Sequence, residues 1–280
     1  MKVVPAIYRV TKFHEATRGG MNAAVDADIR GVAKTNDASR YTIANELIAA
    51  RVGQTLGLPV PAGVTIEDET KKLYYVSLDV SYDGGKLPPI IAEDFIRDHP
   101  WLAAGCVLFD VLIANADRNG ENVAVDPNFS PPRVTVLDHG HALFGTNEPI
   151  GPERLSNVAD SLGCDNNALM DHVSDGAHLA EWAQRIGEIP RYVFDDICAD
   201  VGRETRLNVS QEEAQHAASW LADRSQRVAR LICDHKGSFP AVAQWCLVEE
   251  KPESEGPEQP EDPSETQDEK PSEADNGDRG

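Results

Sequence analysis

The chain has 280 residues, 47 of them acidic and 26 basic, for a formal charge of −21. A chain this acidic, whose longest basic cluster is Lys71-Lys72, has no electrostatic footprint for nucleic acid or an anionic membrane, since both are bound through Lys and Arg. Its five cysteines (Cys106, Cys164, Cys198, Cys233 and Cys246) are odd in number and contain no Cys-x-x-Cys pair, so neither a disulfide framework nor a cysteine zinc site is indicated. The N-terminal stretch holds no apolar run of signal-peptide length, nowhere do eighteen or more apolar residues follow one another, and the expected setting is the reducing cytoplasm.

In chain order, β-favouring runs over 3–8 and 31–34 flank a glycine-containing stretch at 17–22 and read as the start of an antiparallel sheet. From Tyr41 the period changes. Ala44, Leu47, Ile48, Val52 and Leu56 recur at three- and four-residue steps until Gly57-Leu58-Pro59, which predicts an amphipathic helix with one buried face. Strands are expected over 60–66 and 73–80, followed by a Gly- and Pro-rich loop at 81–89. Helices are expected at 90–98 and, more apolar, at 101–113. A polar loop at 115–122 then leads to a short hairpin, 123–125 with 133–137.

Residues 152–248 read as almost wholly helical, with helices near 179–186, 191–201 and 211–234. Residues 249–280 differ in kind: 13 acidic and 3 basic side chains, five prolines and no aromatic residue. Such a segment cannot bury enough apolar surface to offset its ordering entropy, so a disordered acidic tail is expected.

The chemistry concentrates in the loop Asn115-Ala116-Asp117-Arg118-Asn119-Gly120-Glu121-Asn122 and the triplet Asp138-His139-Gly140 that ends the hairpin. Asp117 and Asn122 are five positions apart and Asp138 returns across the hairpin, which sets an amide oxygen and a carboxylate at one rim. Oxygen ligands of this kind suit Mg²⁺. Phosphoryl transfer needs metal ligands, a cation on the phosphates and a carboxylate to orient the attacking hydroxyl. Asp117 is the candidate base, Asn122 and Asp138 the candidate metal ligands, and Lys34 on its strand the candidate phosphate contact. Glu46, on the following helix, is placed to pair with Lys34. Arg118 is expected to bond loop carbonyls or Asp carboxylates. A metal cluster of His139 and His141 with Asp138 is the less favoured reading, because no third His or Cys ligand lies nearby in sequence.

The string from Phe109 to Arg118, then Asn122 and Leu137-Asp138-His139-Gly140, resembles the HipA-like kinase family, distant relatives of protein kinases and of type II phosphatidylinositol 4-kinases. Upstream, Asn45-Glu46-Leu47-Ile48-Ala49-Ala50 and Leu56-Gly57-Leu58-Pro59-Val60-Pro61 extend the likeness over most of residues 1–248. The resemblance implies an α+β, bilobal protein-kinase-like fold: a β-rich N-lobe over 1–86, a helical C-lobe over 87–248, and the tail outside both. It also implies ATP and Mg²⁺ as cofactors, Asp117 as catalytic residue, Asn122 and Asp138 as metal ligands, and Lys34 on the α- and β-phosphates. Gly19 and Gly20, in a loop after a strand, are the candidate phosphate cradle, though without G-x-G-x-x-G spacing. Two positions depart from the pattern: Asn119 stands where many relatives have His, and the metal triplet is Asp-His-Gly.

The activity implied is transfer of the ATP γ-phosphate to a protein Ser or Thr. Two rivals are a kinase for a lipid or small molecule, and a nucleotide-binding pseudokinase or toxin-like regulator acting through an antitoxin-like protein partner. Thr146, Ser156 and Ser161 lie where phosphorylation control would act.

Overall fold

The computed structural model describes residues 10–14, 25–79, 81 and 85–246. By Cα proximity the chain divides into two units, 1–248 and 249–280; both expected lobes fall within the first. The strand expected at 3–8, the loop carrying Gly19 and Gly20, and the acidic tail lie outside the described residues.

A two-stranded ribbon, β1 (Val10–Phe13) with β2 (Ala27–Ile29), precedes β3 (Gly31–Lys34). β3 joins β4 (Gly63–Glu67) and β5 (Leu73–Leu78) in an antiparallel sheet of order β3-β5-β4. Register decides which side chains share a face: Lys34 and Thr65 both lie opposite Tyr75, which is 2% exposed. Lys34 therefore projects from the same face as a core residue.

Between β3 and β4 runs α1 (Thr42–Thr55). The sequence predicts one buried face, yet every residue from Ile43 to Ala50 is buried, Asn45 and Glu46 included. The difference arises because α1 packs against β4 and β5 on one side and α6 (Arg191–Arg203) on another, with the segment after the hairpin also in contact. Gly53 admits this packing, since a Cβ there would stand 2.7 Å from Val60.

After α2 (Ala92–Asp98), α3 (Pro100–Ile113) is buried from Leu102 onward and forms the axis of the helical part. Pro100 at its first turn gives up no hydrogen bond. Gly105 leaves room for the Trp182 ring, which a Cβ would approach to 2.4 Å. The helix ends with Ala114 in the left-handed region (φ 46°), which turns the chain into the polar loop. Next come β6 (Asp117–Arg118), the hairpin β7 (Val123–Asp126) with β8 (Arg133–Val136), α4 (Pro152–Asn157), β9 (Asn166–Asn167), α5 (Gly176–Gly187), α6 and α7 (Gln211–Asp234).

The expectation of near-continuous helix after 152 fails over 158–175, where β9 pairs in parallel with β6. α7 begins with a reciprocal cap, the Ser210 hydroxyl accepting from the Glu213 N–H and the Glu213 carboxylate from the Ser210 N–H. Glu213 also accepts from the Tyr41 hydroxyl at 2.6 Å, which ties the start of α1 to α7. Fully buried Arg224 on α7 spends its guanidinium on five carbonyls: Val111, Val158, Ala159, Ser161 and Leu162. No helix among the described residues is long and apolar enough to cross a membrane.

Candidate active site

Arg118 begins the site, because a charge with no exposure must be paired. Its guanidinium donates to the Asp110 carboxylate at 2.9 and 3.0 Å, to the Asn122 carbonyl at 2.9 Å, and to the Leu137 carbonyl. Both expected kinds of partner are present. Asp110 also accepts from Asn115 at 2.9 Å and Asn167 at 3.0 Å. One buried ion pair thus fastens the polar loop to α3, to the end of the hairpin and to the segment of β9.

On this base the loop presents Asp117 and Asn122. The Asn122 amide nitrogen donates to the Asp117 carbonyl at 2.8 Å, which fixes the amide plane and leaves its oxygen as the end for another group. The Asp117 carboxylate accepts from Asn166 at 2.7 Å and from Asn119 at 3.2 and 3.3 Å. The sequence assigns Asn119 no part beside Asp117, yet its side chain touches the Asp117 carboxylate directly.

Across the hairpin, Asp138 adopts the left-handed conformation (φ 55°), which Asp tolerates better than most residues and which turns its side chain out of strand alignment. Lys34 lies between two carboxylates, its Nζ 2.5 Å from Glu46 and 2.8 Å from Asp138. Burial disfavours the Lys34 ammonium, but Glu46 and Asp138 outweigh it and raise its pKa. Burial likewise pushes the Glu46 carboxyl up, and contacts from His139 and Lys34 reverse this and hold it at about 2. Glu46 also accepts from the His139 backbone N–H at 2.9 Å, so the residue that fixes the lysine fixes the Asp138-His139-Gly140 turn too.

Asn45 completes the clamp, donating to the Gly140 carbonyl at 2.8 Å and accepting from the Phe144 N–H at 3.2 Å. His139 is buried, its ring edge-on to Phe109 at 5.5 Å, and burial pushes its imidazole pKa down. His141 bonds the Thr146 hydroxyl at 2.8 Å instead, so the two imidazoles serve separate partners.

Lys34, Glu46, Asn122 and Asp138 line one cleft of about 350 Å³, with Val32, Val60, Tyr75 and Val136 as apolar wall. Asp117 adjoins this cleft through Asn122 and is not itself part of its lining. The donor set suits Mg-ATP: a carboxylate and an amide oxygen for a hard cation, a fixed ammonium for phosphate, and apolar side chains for a base. Sequence reasoning did not find Asp110, Asn166 or the clamping role of Asn45. The available signal was a carboxylate or amide inside an otherwise apolar helix, as at Asp110 in α3 and Asn45 in α1, where a polar group must have a built partner.

Strand lysine, helix glutamate, loop aspartate and asparagine, and a post-hairpin aspartate occur here in the order and setting of a kinase-like α+β fold. Among solved structures the chain is similar to the Helicobacter pylori proinflammatory kinase CtkA, with a TM-score of 0.51 and 12% identity over 84% of this chain and 98% of that one. It is also similar to HipA of a Shewanella oneidensis MR-1 toxin–antitoxin system, in a structure with HipB and operator DNA, with a TM-score of 0.35 and 15% identity over 68% of this chain and 57% of that one. No family model and no curated protein matches the chain. The first likeness shows the fold, and it is the bilobal kinase-like fold expected from the HipA-like resemblance.

Proposed function

We propose that the protein is an ATP- and Mg²⁺-dependent kinase that phosphorylates a Ser or Thr hydroxyl on a protein. The observation that carries this reading is Lys34, held 2.5 Å from Glu46 and 2.8 Å from Asp138 in a cleft that Asn122 also lines. Lys34 binds the α- and β-phosphates, and Glu46 keeps its ammonium in place. Asp138 and the Asn122 amide oxygen are the metal ligands. Asp117 orients the acceptor hydroxyl and takes its proton on the carboxylate. Gly19 and Gly20 belong to the same proposal as the phosphate cradle. Bound Mg-ATP supplies the electrophilic phosphoryl group and the positive charge that offsets the negative charge developing on it. A protein acceptor is favoured over a lipid surface or nucleic acid by the charge of −21. The reducing cytoplasm is the compartment proposed, in keeping with five cysteines that are odd in number and widely spaced along the sequence.

The test is thermal unfolding with and without Mg-ATP, for the wild type and Asp138→Ala, together with transfer of labelled γ-phosphate to protein, lipid and small-molecule acceptors. Near a hundredfold excess over Kd, binding adds about 2.7 kcal/mol, or about 5 to 10 °C for a domain of this size. That shift, lost in Asp138→Ala, and label on protein Ser or Thr are expected. Label on a lipid or small molecule alone overturns the protein acceptor. A shift with no transfer to anything leaves a nucleotide-binding regulator.

A further inference from the structure

Glu46 and Asp138 each meet the Lys34 ammonium, whereas among the described residues the Asp117 carboxylate meets only neutral amides. The shortest of these contacts is from Asn166, 49 positions further along the chain, at 2.7 Å. Asn166 reaches Asp117 because β9 lies parallel to β6, with Asp117 opposite Asn166 and Arg118 opposite Asn167. The Ala168 N–H donates to the Arg118 carbonyl at 2.9 Å, and the Asn167 side chain to buried Asp110 at 3.0 Å. The backbone carrying Asn166 is therefore fixed to the same Asp110–Arg118 pair that fixes the loop carrying Asp117.

We propose that Asn166 is a positioning residue for phosphate transfer: its amide holds the Asp117 carboxylate in the orientation from which it meets the acceptor hydroxyl. The inference rests on the kinase reading above. Oδ1 of Asp117 accepts from both Asn166 and Asn119, while Oδ2 has only the 3.3 Å contact from Asn119, so Oδ2 is the oxygen left for the acceptor's proton. An amide orients a carboxylate without a formal charge to neutralise it, which a Lys or Arg in its place would bring. Asn119 also caps the turn after it, its side chain accepting from the Glu121 N–H at 2.9 Å, so its contact with Asp117 is shared with loop folding. Asn166 is exposed, and its side chain is the separable part of the device.

The experiment measures single-turnover transfer and KM for Mg-ATP in the wild type, Asn166→Ala, Asn166→Asp, Asp117→Ala and the double variant Asp117→Ala/Asn166→Ala. Asn166→Ala is expected to slow transfer about 10- to 100-fold, the scale of a misplaced catalytic group, with KM for Mg-ATP and the urea midpoint unchanged. Asn166→Asp keeps the shape without the donor, and it should transfer no faster than Asn166→Ala. The double variant should be no slower than Asp117→Ala alone, because the asparagine acts through the aspartate. An undiminished rate in Asn166→Ala or Asn166→Asp overturns the proposal, as does an Asn166→Ala effect that persists in full without Asp117. A wild type that binds Mg-ATP and transfers nothing overturns the kinase reading itself and this inference with it.

Discussion

Replacing Glu46 by Gln keeps the shape and one carbonyl acceptor of the side chain, removes its charge and turns the second oxygen into an amide donor, at a position 2% exposed. With its carboxyl held at about 2 against an ordinary 4.5, Glu46 links its ionisation to about 3 kcal/mol of stability at neutral pH, at ~1.4 kcal/mol per pH unit. The folded-state pKa lies below the unfolded one, so this contribution is complete above about pH 4.5 and is lost as the pH falls through about 2. The assay is urea unfolding of wild type and Glu46→Gln from pH 7 to pH 3. Taking the difference between the two cancels the other carboxylates. At pH 7 the variant should be less stable by about 3 kcal/mol, on the order of 1 M in urea midpoint, and by pH 3 the difference should have shrunk to about half. A difference below about 1 kcal/mol at pH 7, or one constant over this range, refutes the claim that Lys34 and His139 hold an ionised Glu46 in the interior.

Other perturbations report on separate parts of the molecule. Asp117→Ala should lower transfer by about 10²- to 10⁴-fold, the usual contribution of a general base, and leave the urea midpoint nearly unchanged, since its side-chain partners are amides near the surface. Arg224→Met should cost at least about 4 kcal/mol, because buried carbonyls on α3 and on 158–162 lose their donor; an equilibrium melt checks it. Gly105→Ala should cost about 1 to 3 kcal/mol through overpacking against Trp182, and intrinsic Trp fluorescence should change with it.

What could be read in the sequence follows from how local each feature is. The helices at 176–187, 191–203 and 211–234 were legible because apolar residues repeat along each segment, and β7 with β8 because a turn separates two short β-favouring runs. Lys34, Glu46, Asp117, Asn122 and Asp138 were named as one constellation, and the structure brings all but Asp117 to the lining of one cleft. Pairing of β6 with β9 was not legible, since each strand is two residues long and the partners lie 49 positions apart. Burial of α1 on nearly every side was hidden for a related reason: its small residues Ala49 and Ala50 fall outside the apolar repeat but are buried in space. Asn119 was judged from its place in a motif, whereas its contact with Asp117 depends on the rotamer the turn imposes.

The fastening of α1 bears on what could inhibit this cleft. To swing the helix away from β3, a compound would have to separate Tyr41 from Glu213, Asn45 from the Gly140 carbonyl and the Phe144 N–H, and Glu46 from Lys34 and the His139 N–H, all in one motion. Each buried group left without a partner costs about 1 to 3 kcal/mol, so ligands that need a displaced helix start at a disadvantage of many orders of magnitude in affinity. Chemical selectivity against such compounds is therefore built into the helix, through Tyr41, Asn45 and Glu46 together, and useful ligands would be those shaped to the cleft as it stands.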